Sequence, residues 1–311
     1  MHVFVTGGTG LTGPAVVAEL IASGHTVTGL ARSDRAEQRL VELGANVLRG
    51  SLDDLDRLRA GAAQADGVLH MAFGGDFSDP AGMMRRDCAA IEALGAALVG
   101  SGKVFVSTSG TLVMKPGALR TETDAPDRGS VGAFRIAGET ACLGFAARGV
   151  RASVVRLAPT VHGPGDYGFI PMLIATARRT GISAFIDDGA NRWPAVHRAD
   201  AAVLFRLVLE KASAGTAWHG AAEQGIPFKA IAETIGHQLH LPVRGVSRVD
   251  APAHFANPFF AVAFGLDAPV SSERTRSELG WQPTHPTLLD DLVHGDYFTE
   301  AAYSKFAQNH H

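Results

Sequence analysis

A glycine-rich run between a short strand and a helix is the feature that most constrains how this 311-residue chain folds. Residues 2–6, HVFVT, form an apolar run that predicts a strand, and GGTGLTG follows at once. The amphipathic segment PAVVAELIASG comes next, with Pro14 in the first helical turn, where its missing N–H costs nothing. Gly7, Gly10 and Gly13 therefore occupy the turn between a first strand and a first helix.

The alternation of strand and helix continues to about residue 160. Strand-like runs HTVTGL, ANVLRG, DGVLHMA, KVFVSTS and RASVVRLA are separated by segments that we expect to be helical, the last two over about 80–100 and 131–148. Six such alternations predict an α/β fold of the Rossmann type, a doubly wound parallel sheet with helices on both faces.

The glycine spacing indicates a dinucleotide site. Glycines allow a tight turn and a close approach of the backbone to a pyrophosphate, and a helix N-terminus supplies N–H groups and a positive dipole end. The GxxGxxG spacing is weak evidence by itself in a chain with 36 glycines. Its position between a strand and a helix is what gives it this meaning.

The rhythm changes after residue 160, where Gly and Pro cluster in PTVHGPGDYG and shorter, proline-interrupted segments follow. We therefore predict a dinucleotide-binding domain over residues 1–160. Residues 161–311 are expected to form mainly a smaller α/β substrate lobe, with some elements returning to the main sheet. Such a lobe would lie at the carboxyl ends of the strands, where open α/β sheets bind ligands.

The end of the second strand favours NADP (NADPH) over NAD. An acidic residue there would bind a ribose 2′-hydroxyl, but this sequence has GLARSD. Arg32 and Ser33 can hold a 2′-phosphate, Arg32 through two parallel hydrogen bonds. The alternative is that Arg32 is a solvated loop residue and Asp34 caps the next helix.

Charge and composition argue against several classes of partner. A net charge of −3 and scattered basic residues give no reason to expect nucleic acid or a membrane surface as partner. Cys88 and Cys142 fall in predicted helices and no Cys/His cluster has ligand spacing, so we expect free thiols and no metal. Because a strand begins at once and no apolar run approaches about 18 residues, we expect a cytoplasmic protein; a homodimer is left open.

Several motifs, in order along the chain, resemble those of one enzyme family. TGGTGLTG, DGVLHMA and TSGT in the first half are followed by TVHGPGD, AVHRAD and LGWQPTHP in the second. Together they are similar to motifs of the short-chain dehydrogenase/reductases, in the extended, epimerase-like branch. The resemblance spans nearly the whole chain and implies a seven-stranded Rossmann sheet, a C-terminal substrate lobe and a small-molecule substrate.

The resemblance also implies a set of cofactor contacts. The pyrophosphate would lie on the loop of Gly7, Thr9, Gly10, Leu11, Thr12 and Gly13. The adenosine side would be formed by Met71, Ala72 and Phe73. Ser51 stands where the family usually has an adenine-contacting Asp, and Leu52 after it is a further expected contact. Pro159, Thr160 and Val161 would lie near the nicotinamide, and Ser109 matches the serine that hydrogen-bonds the reacting oxygen.

The catalytic pair of that family is missing. The family uses a Tyr as general acid/base and a Lys four residues later, which lowers the Tyr pKa and holds the nicotinamide ribose. In SVGAFRIAGET these positions map to Val131 and Arg135, and an alternative register gives Phe134 and Gly138. The three tyrosines of the chain, none followed by Lys at this spacing, are Tyr167, Tyr297 and Tyr303. The usual mechanism is therefore excluded.

Three functions stay open. We favour an NADP-dependent oxidoreductase in which Arg135 keeps the ribose contact and Ser109 binds the carbonyl oxygen. His162 or Tyr167 would give the proton, with Lys115 as a further candidate. A positioned acid contributes about 10²–10⁴-fold, so cofactor placement without one sustains some rate. The alternatives are a non-catalytic NAD(P)-binding sensor and, less favoured, a sugar-nucleotide epimerase or dehydratase.

Apolar side chains suggest the class of substrate. Relatives that bind sugar nucleotides usually carry Arg where RWPAVH has Trp193, and Arg192 points elsewhere if this segment is a strand. The pocket candidates, any one of which can instead belong to the core, are Phe73, Phe77, Met83, Met114, Phe169, Trp193, Phe259 and Phe260. We expect a small, mainly apolar carbonyl compound or alcohol.

Overall fold

The structure, a computed structural model, describes residues 1–74, 79–302 and 306. The strands in these ranges are β1 His2–Thr6, β2 Thr26–Ala31, β3 Asn46–Arg49, β4 Gly67–His70, β5 Val104–Gly110, β6 Arg151–Leu157, β7 Thr160–His162, β8 Ser183–Ile186, β9 Arg192–His197, β10 Thr216–Gly220, β11 Glu223–Pro227 and β12 Val243–Val246. The α-helices are α1 Gly13–Ala22, α2 Asp34–Glu42, α3 Leu55–Gln64, α4 Pro80–Ala96, α5 Ile136–Gly144, α6 Phe169–Thr180, α7 Arg198–Lys211, α8 Phe228–Leu239, α9 Ala251–Phe255, α10 Pro258–Ala263, α11 Glu273–Leu279 and α12 Leu288–His294. None of the helices in the described ranges is long and apolar enough to cross a membrane.

A seven-stranded parallel sheet forms the centre of the molecule, in the order β10-β6-β5-β4-β1-β2-β3. This confirms the predicted doubly wound fold. The order reverses between β1 and β4, so the carboxyl ends of these strands flank a crevice of the kind that binds ligands in open α/β sheets. Strand β10 comes from the second half of the chain and completes the sheet beside β6.

Helices cover both faces of this sheet because successive strand residues point to opposite sides. Val3 and Val5 of β1 pack in a core with α1, α2 and α7. Phe4, between them in sequence, packs in a second core with α3, α4 and α5. A continuous apolar run such as HVFVT is therefore what a strand buried on both faces requires.

The second half of the chain builds a smaller lobe around two small sheets, β11-β9-β7 and β12-β8. Its core is aromatic: Trp193 contacts Phe169, Phe228 and Phe264, with ring centroids 5.9 Å apart in each pair. Trp193 is 1% exposed, and its indole N–H donates to Thr160 Oγ1 at 2.7 Å. These aromatic side chains hold the lobe together.

The helix expected over residues 131–148 is shorter than the sequence suggested. A 3-10 turn at Ala133–Arg135 precedes α5, and a second 3-10 turn at Phe145–Arg148 follows it. Gly132 donates its N–H to Leu112 O at 3.1 Å, and a Cβ at Gly132 would lie 2.6 Å from the Leu112 carbonyl carbon. This close backbone approach holds the preceding residues in a turn, so Val131 lies outside the helix.

Both cysteines are free thiols in helices, as expected, Cys88 in α4 and Cys142 in α5. Burial raises the pKa of each thiol. Cys142 Sγ donates to the carbonyl oxygen of Ser153 at 3.5 Å, so α5 and β6 are in direct contact there.

Candidate functional site

A cleft of about 580 Å³ lies at the carboxyl ends of the central strands. The predicted cofactor residues that line it are Gly7, Thr9, Gly10, Leu11, Thr12, Gly13, Arg32, Ser51, Leu52, Met71, Ala72 and Phe73. Lining residues that the sequence analysis had not singled out are Leu30, Ala36, Gly50, Asp53, Gly74, Arg86, Thr108, Leu157 and Phe205. Thr108 and Leu157 lie near the carboxyl ends of β5 and β6, so the predicted strand ends could have identified them as lining residues. Arg86 and Phe205 belong to helices, and no pattern in the neighbouring sequence marks them as lining residues.

The glycine-rich loop is shaped so that backbone alone faces the cleft. Gly7 has φ of 75°, a left-handed conformation, and a Cβ there would lie 2.5 Å from the Ala72 N. A Cβ at Gly13 would overlap the carbonyl oxygen of Gly7 and lie 2.5 Å from the Gly8 carbonyl carbon. Gly10 donates its N–H to Gly7 O at 3.0 Å and closes the turn.

The N-terminus of α1 points into this loop. Thr12 is its N-cap, and within the described part of the chain the Thr12 side chain makes no capping hydrogen bond. Pro14 takes one of the first two helical positions and contributes no N–H. The remaining backbone N–H groups and the helix dipole suit an anion, so the glycine cradle fits the pyrophosphate of a dinucleotide.

The far end of the cleft carries a free arginine. Arg32 is exposed, follows β2 directly, and makes no hydrogen bond or ion pair within the residues that the structure describes. Ser33 caps α2 by accepting the Ala36 N–H at 3.3 Å, so Ser33, not Asp34, is the cap. Arg86 and Asp53 also line the cleft and form an ion pair, with Arg86 Nε and Asp53 Oδ1 2.9 Å apart.

Tyr167 also lines the cleft. It belongs to the loop between β7 and α6, where a Cβ at Gly168 would lie 3.5 Å from Leu11 Cδ2 of the glycine-rich loop. Burial raises the pKa of the Tyr167 phenol; Arg198 nearby opposes this shift and Asp166 adds to it. The phenol is therefore held in its protonated form at neutral pH.

Arg135 lies one layer behind the cleft wall. Its side chain is 12% exposed, its Nη2 donates to the Thr108 carbonyl oxygen, and its guanidinium carbon is 3.6 Å from the centre of the Phe73 ring. Thr108 and Phe73 both line the cleft, whereas Arg135 does not. Arg135 neither points to solvent nor pairs with Glu139, but it stands behind Phe73, so the ribose contact expected for it stays a prediction.

A series of buried hydrogen bonds runs from Thr6 in β1 through His70 to Asp87, which lies next to Arg135. The Ala72 N–H donates to Thr6 Oγ1 at 3.4 Å, and Thr6 Oγ1 lies 2.7 Å from His70 Nδ1. His70 Nε2 lies 3.2 Å from Asp87 Oδ1, and Asp87 Oδ2 lies 3.7 Å from Arg135 Nη1. A carboxylate only accepts hydrogen bonds, so His70 donates through Nε2 and accepts the Thr6 hydroxyl at Nδ1.

Several buried polar atoms of β5, of the residues that follow it and of Arg135 make no hydrogen bond within the described part of the chain. Among the described residues, Thr108 Oγ1, Ser109 Oγ, Thr111 Oγ1 and Arg135 Nη1 are buried and make no hydrogen bond within the protein. Ser109 and Thr111 are 5% and 2% exposed. Buried polar groups are normally paired, and each one left unpaired costs about 1–3 kcal/mol. Unpaired groups concentrated here are typical of a site completed by a ligand.

Other candidates from the sequence lie away from the cleft lining. His162 is 1% exposed, and its Nδ1 is 2.6 Å from Asp291 Oδ2 in α12. Thr160 accepts the Trp193 indole, Val161 belongs to the apolar core, and Pro159 does not line the cleft. Lys115 is exposed. Of the proton-donor candidates, Tyr167 alone lines the cleft within the described part of the chain.

Most of the proposed substrate-binding side chains are core residues. Met114 packs under the central sheet, where its sulfur lies 3.5 Å from Arg156 Nη1. Trp193 and Phe169 belong to the aromatic core of the second lobe, which Phe260 also contacts. Met83 is buried and Phe259 is 38% exposed, while Phe77 and Tyr303 lie outside the described residues. Phe73 remains as the aromatic candidate that lines the cleft.

One cluster near α7 has the residue types of a metal site without its geometry. Ligand atoms of His197, Asp200 and His285 lie within 4.8 Å of one another. The two imidazole planes are stacked at 3°, however, and two parallel planes cannot both contain one metal ion. Asp200 Oδ1 already accepts the Thr284 N–H at 3.0 Å and lies 2.8 Å from His285 Nδ1. The arrangement is that of a hydrogen-bonded support for α7.

The chain is similar to one protein family and to individual relatives over most of its length. Residues 3–219 match the model of the NAD dependent epimerase/dehydratase family. The chain is 46% identical over 299 residues to uncharacterized protein C2A9.02 of Schizosaccharomyces pombe (strain 972), which spans 96% of this chain and 100% of that protein. It is 27% identical to 4-hydroxy-2-methyl-3-oxo-4-farnesyl-3,4-dihydroquinoline-1-oxide ketoreductase of Stigmatella aurantiaca, over 94% of this chain and 96% of the relative.

Among solved structures, a double mutant of DesIV, a dTDP-glucose 4,6-dehydratase from Streptomyces venezuelae with NAD and DAU bound, superposes with a TM-score of 0.78. The alignment covers 98% of this chain and 100% of that one at 18% identity. At this identity the likeness shows the fold, and the chemistry of the site has to be argued from the residues present.

Proposed function

The chain belongs to the NAD-dependent epimerase/dehydratase family, and on that premise we propose that it is an NADP-dependent oxidoreductase acting on a small, mainly apolar carbonyl compound or alcohol. One observation carries the proposal: among the described residues, the buried hydroxyls of Thr108, Ser109 and Thr111 make no hydrogen bond, and Thr108 lines the same cleft as the glycine-rich loop. A protein that only sensed the dinucleotide would have no need for unpaired hydroxyls beyond it.

The chain's own residues hold the dinucleotide at two points. The backbone N–H groups of the glycine-rich loop and of the first turn of α1 bind the pyrophosphate. Arg32, exposed and without a partner among the described residues, pairs with a ribose 2′-phosphate, which NADP has and NAD lacks. When bound, the nicotinamide supplies or accepts the hydride.

Tyr167 is the proton donor that we propose in place of the missing family tyrosine. Its phenol lines the cleft, and burial raises its pKa, so at neutral pH it is the proton-bearing form that faces the site. A group that holds its proton suits reduction of a carbonyl, in which the new alcohol oxygen must gain one. The buried His162 pairs with Asp291 and is a weaker candidate.

Ser109 and Arg135 have positioning roles in this proposal. The Ser109 hydroxyl, or a water held by it, hydrogen-bonds the reacting oxygen. Burial lowers the pKa of the Arg135 guanidinium and Asp87 opposes this shift. An arginine nevertheless keeps its proton at neutral pH, so Arg135 does not act as an acid. It holds the cleft wall in place through its contacts with the Thr108 carbonyl oxygen and the Phe73 ring.

A non-catalytic NAD(P)-binding sensor is the second candidate, favoured by Val131 at the position of the family's catalytic tyrosine. A sugar-nucleotide epimerase or dehydratase is the third. It has less support because Trp193, at the position where such relatives usually carry Arg, is a buried core residue, and Arg192 turns outward to pair with Asp267 at 2.8 Å.

Fluorescence titration with NADPH and NADH, followed by turnover of a panel of aryl and alkyl ketones, tests the proposal. We expect NADPH to bind at least about tenfold more tightly than NADH, and at least one ketone to oxidise bound NADPH. Tight NADPH binding with no turnover across the panel would point to the sensor. Tight binding of UDP-glucose with retention of NAD would point to the epimerase.

A further inference from the structure

The buried charges nearest the reacting end of the cleft cancel each other. Arg135 and Asp87 lie 3.7 Å apart, with side chains 12% and 7% exposed. Glu139, the next carboxylate along α5, is committed to Arg156 at 2.5 Å. Cys88, the other titratable neighbour of Arg135, has its thiol pKa raised by burial and is therefore neutral. The wall behind Phe73 thus carries an ion pair with no net charge.

Asp87 is held in this position by the chain of hydrogen bonds from the first strand. His70 is 1% exposed and lies 3.2 Å from Asp87 Oδ1, and Thr6, fully buried, lies 2.7 Å from the other His70 nitrogen. Because both supporting residues belong to strands of the central sheet, the carboxylate cannot turn away from Arg135 without breaking a buried hydrogen bond.

Phe73 separates the guanidinium from the cleft. Its ring lies 3.6 Å from the Arg135 guanidinium carbon and stacks on Phe134 with centroids 5.9 Å apart. Phe73 lines the cleft and Arg135 does not. A molecule at the reacting end therefore meets an aromatic ring first, and the cation behind it is already balanced.

We propose that Asp87 and Phe73 together make the site selective for uncharged carbonyl compounds and exclude 2-oxo acids. The inference rests on the proposed function and names the substrate class of the same site. A substrate carboxylate drawn to Arg135 would come almost as close to Asp87, so attraction and repulsion would nearly cancel. It would also lose its hydration against the Phe73 ring without gaining a hydrogen bond. A ketone or ester has neither cost.

Phenylglyoxylate and its methyl ester make a matched pair of probes, because they share the ring and the ketone and differ in charge. Calorimetric titration of each into protein saturated with NADP⁺ measures binding without turnover, since the oxidised cofactor cannot reduce a ketone. We expect the native protein to bind the ester at least about tenfold more tightly than the acid. Asp87→Asn and Phe73→Ala should each shift the acid-to-ester affinity ratio toward the acid by about tenfold.

Asp187→Asn is the matched control, since it removes one carboxylate beside an arginine, Arg248 at 2.7 Å, far from the cleft. It should leave the ratio unchanged. Phe73→Ala unbalances no buried charge, so it decides the question if Asp87→Asn does not fold. A native protein that binds the acid as well as the ester, or that binds neither, overturns the proposal, and so do folded variants with an unchanged ratio. Failure to bind NADP⁺ at all would instead count against the proposed function.

Discussion

Glu139 of α5 pairs with Arg156 of β6 and not with Arg135, which lies one helical turn before it. Arg156 Nη2 is 2.5 Å from Glu139 Oε1, and Arg156 Nε is 3.1 Å from both carboxylate oxygens. The two side chains are 4% and 3% exposed. This pair ties the inner face of α5 to the central sheet and leaves Arg135, at the start of the helix, to Asp87 and Thr108.

Glu139→Ala should therefore destabilise the fold strongly. Removing one partner leaves the Arg156 charge buried and unpaired, at a cost of about 3–5 kcal/mol of unfolding free energy. Urea denaturation measures it. Glu278→Ala is the control: Glu278 pairs with Arg274 at 2.8 Å, but the side chains are 46% and 32% exposed, and such surface pairs contribute about 1 kcal/mol or less. Similar losses in the two variants would contradict the assignment of Glu139 and Arg156 as a buried pair.

Gly13→Ala should abolish dinucleotide binding. The new Cβ would overlap the Gly7 carbonyl oxygen, so the loop must open and its N–H groups move away from the pyrophosphate. Gly144→Ala is a matched change near the end of α5, where a Cβ meets nothing within 4 Å. The control should keep native affinity for NADPH in a fluorescence titration. Native affinity in Gly13→Ala would mean that the cradle does not hold the cofactor.

Arg32→Ala should weaken NADPH binding by about 10- to 100-fold, the range expected for losing a charge-assisted hydrogen bond to phosphate. NADH affinity should stay the same, because NADH has no 2′-phosphate. Arg35→Ala, three residues along and also exposed, should change neither affinity. An equal loss for both cofactors on Arg32→Ala would assign Arg32 to the pyrophosphate or to folding.

Tyr167→Phe should lower the rate of ketone reduction by about 10²–10⁴-fold and leave NADPH affinity within about twofold of native. The pH profile is a second readout. Because burial raises the pKa of Tyr167 above its ordinary value of 10.0, the phenol stays protonated across neutral pH, and the native rate should fall only at strongly alkaline pH. A rate that already falls with a midpoint near neutrality would indicate a histidine donor.

Two buried histidines should make the fold sensitive to mild acid. Burial lowers the pKa of His219 and of His197 from 6.5 to about 4. Between these values only the unfolded chain takes up the protons, so stability is complete above pH 6.5 and falls as the pH drops toward 4. At pH 5 the loss for His219 is about 2 kcal/mol.

Urea denaturation at pH 7 and pH 5 measures this loss. His219→Gln should reduce the difference between the free energies of unfolding at pH 7 and pH 5 by about the contribution of one histidine. His237→Gln, at an exposed position in α8, should leave the difference unchanged. Equal stability of the native protein at both pH values would show that neither buried histidine resists protonation.

The sequence by itself determined the central sheet, the position of the glycine-rich loop and several residues that line the cleft beside it. Those features are local. Val3, Phe4 and Val5 are consecutive apolar residues because β1 is buried on both faces, and Gly7 and Gly13 are needed where a Cβ would collide with neighbouring backbone. Periodicity and steric exclusion act over a few residues, so they can be read without the fold. The position of Arg32 at the cleft was predictable too, because Arg32 directly follows β2.

Only the tertiary structure decided what surrounds the reacting end. Trp193 and Phe73 are both large apolar residues, yet one is core and the other lines the cleft, and hydrophobicity does not distinguish these positions. The chain from Thr6 through His70 and Asp87 to Arg135 joins three elements and a turn that are up to 129 residues apart in the sequence. These residues meet because of the order of the strands and the packing of the helices. Neither can be inferred from the type of residue at each position.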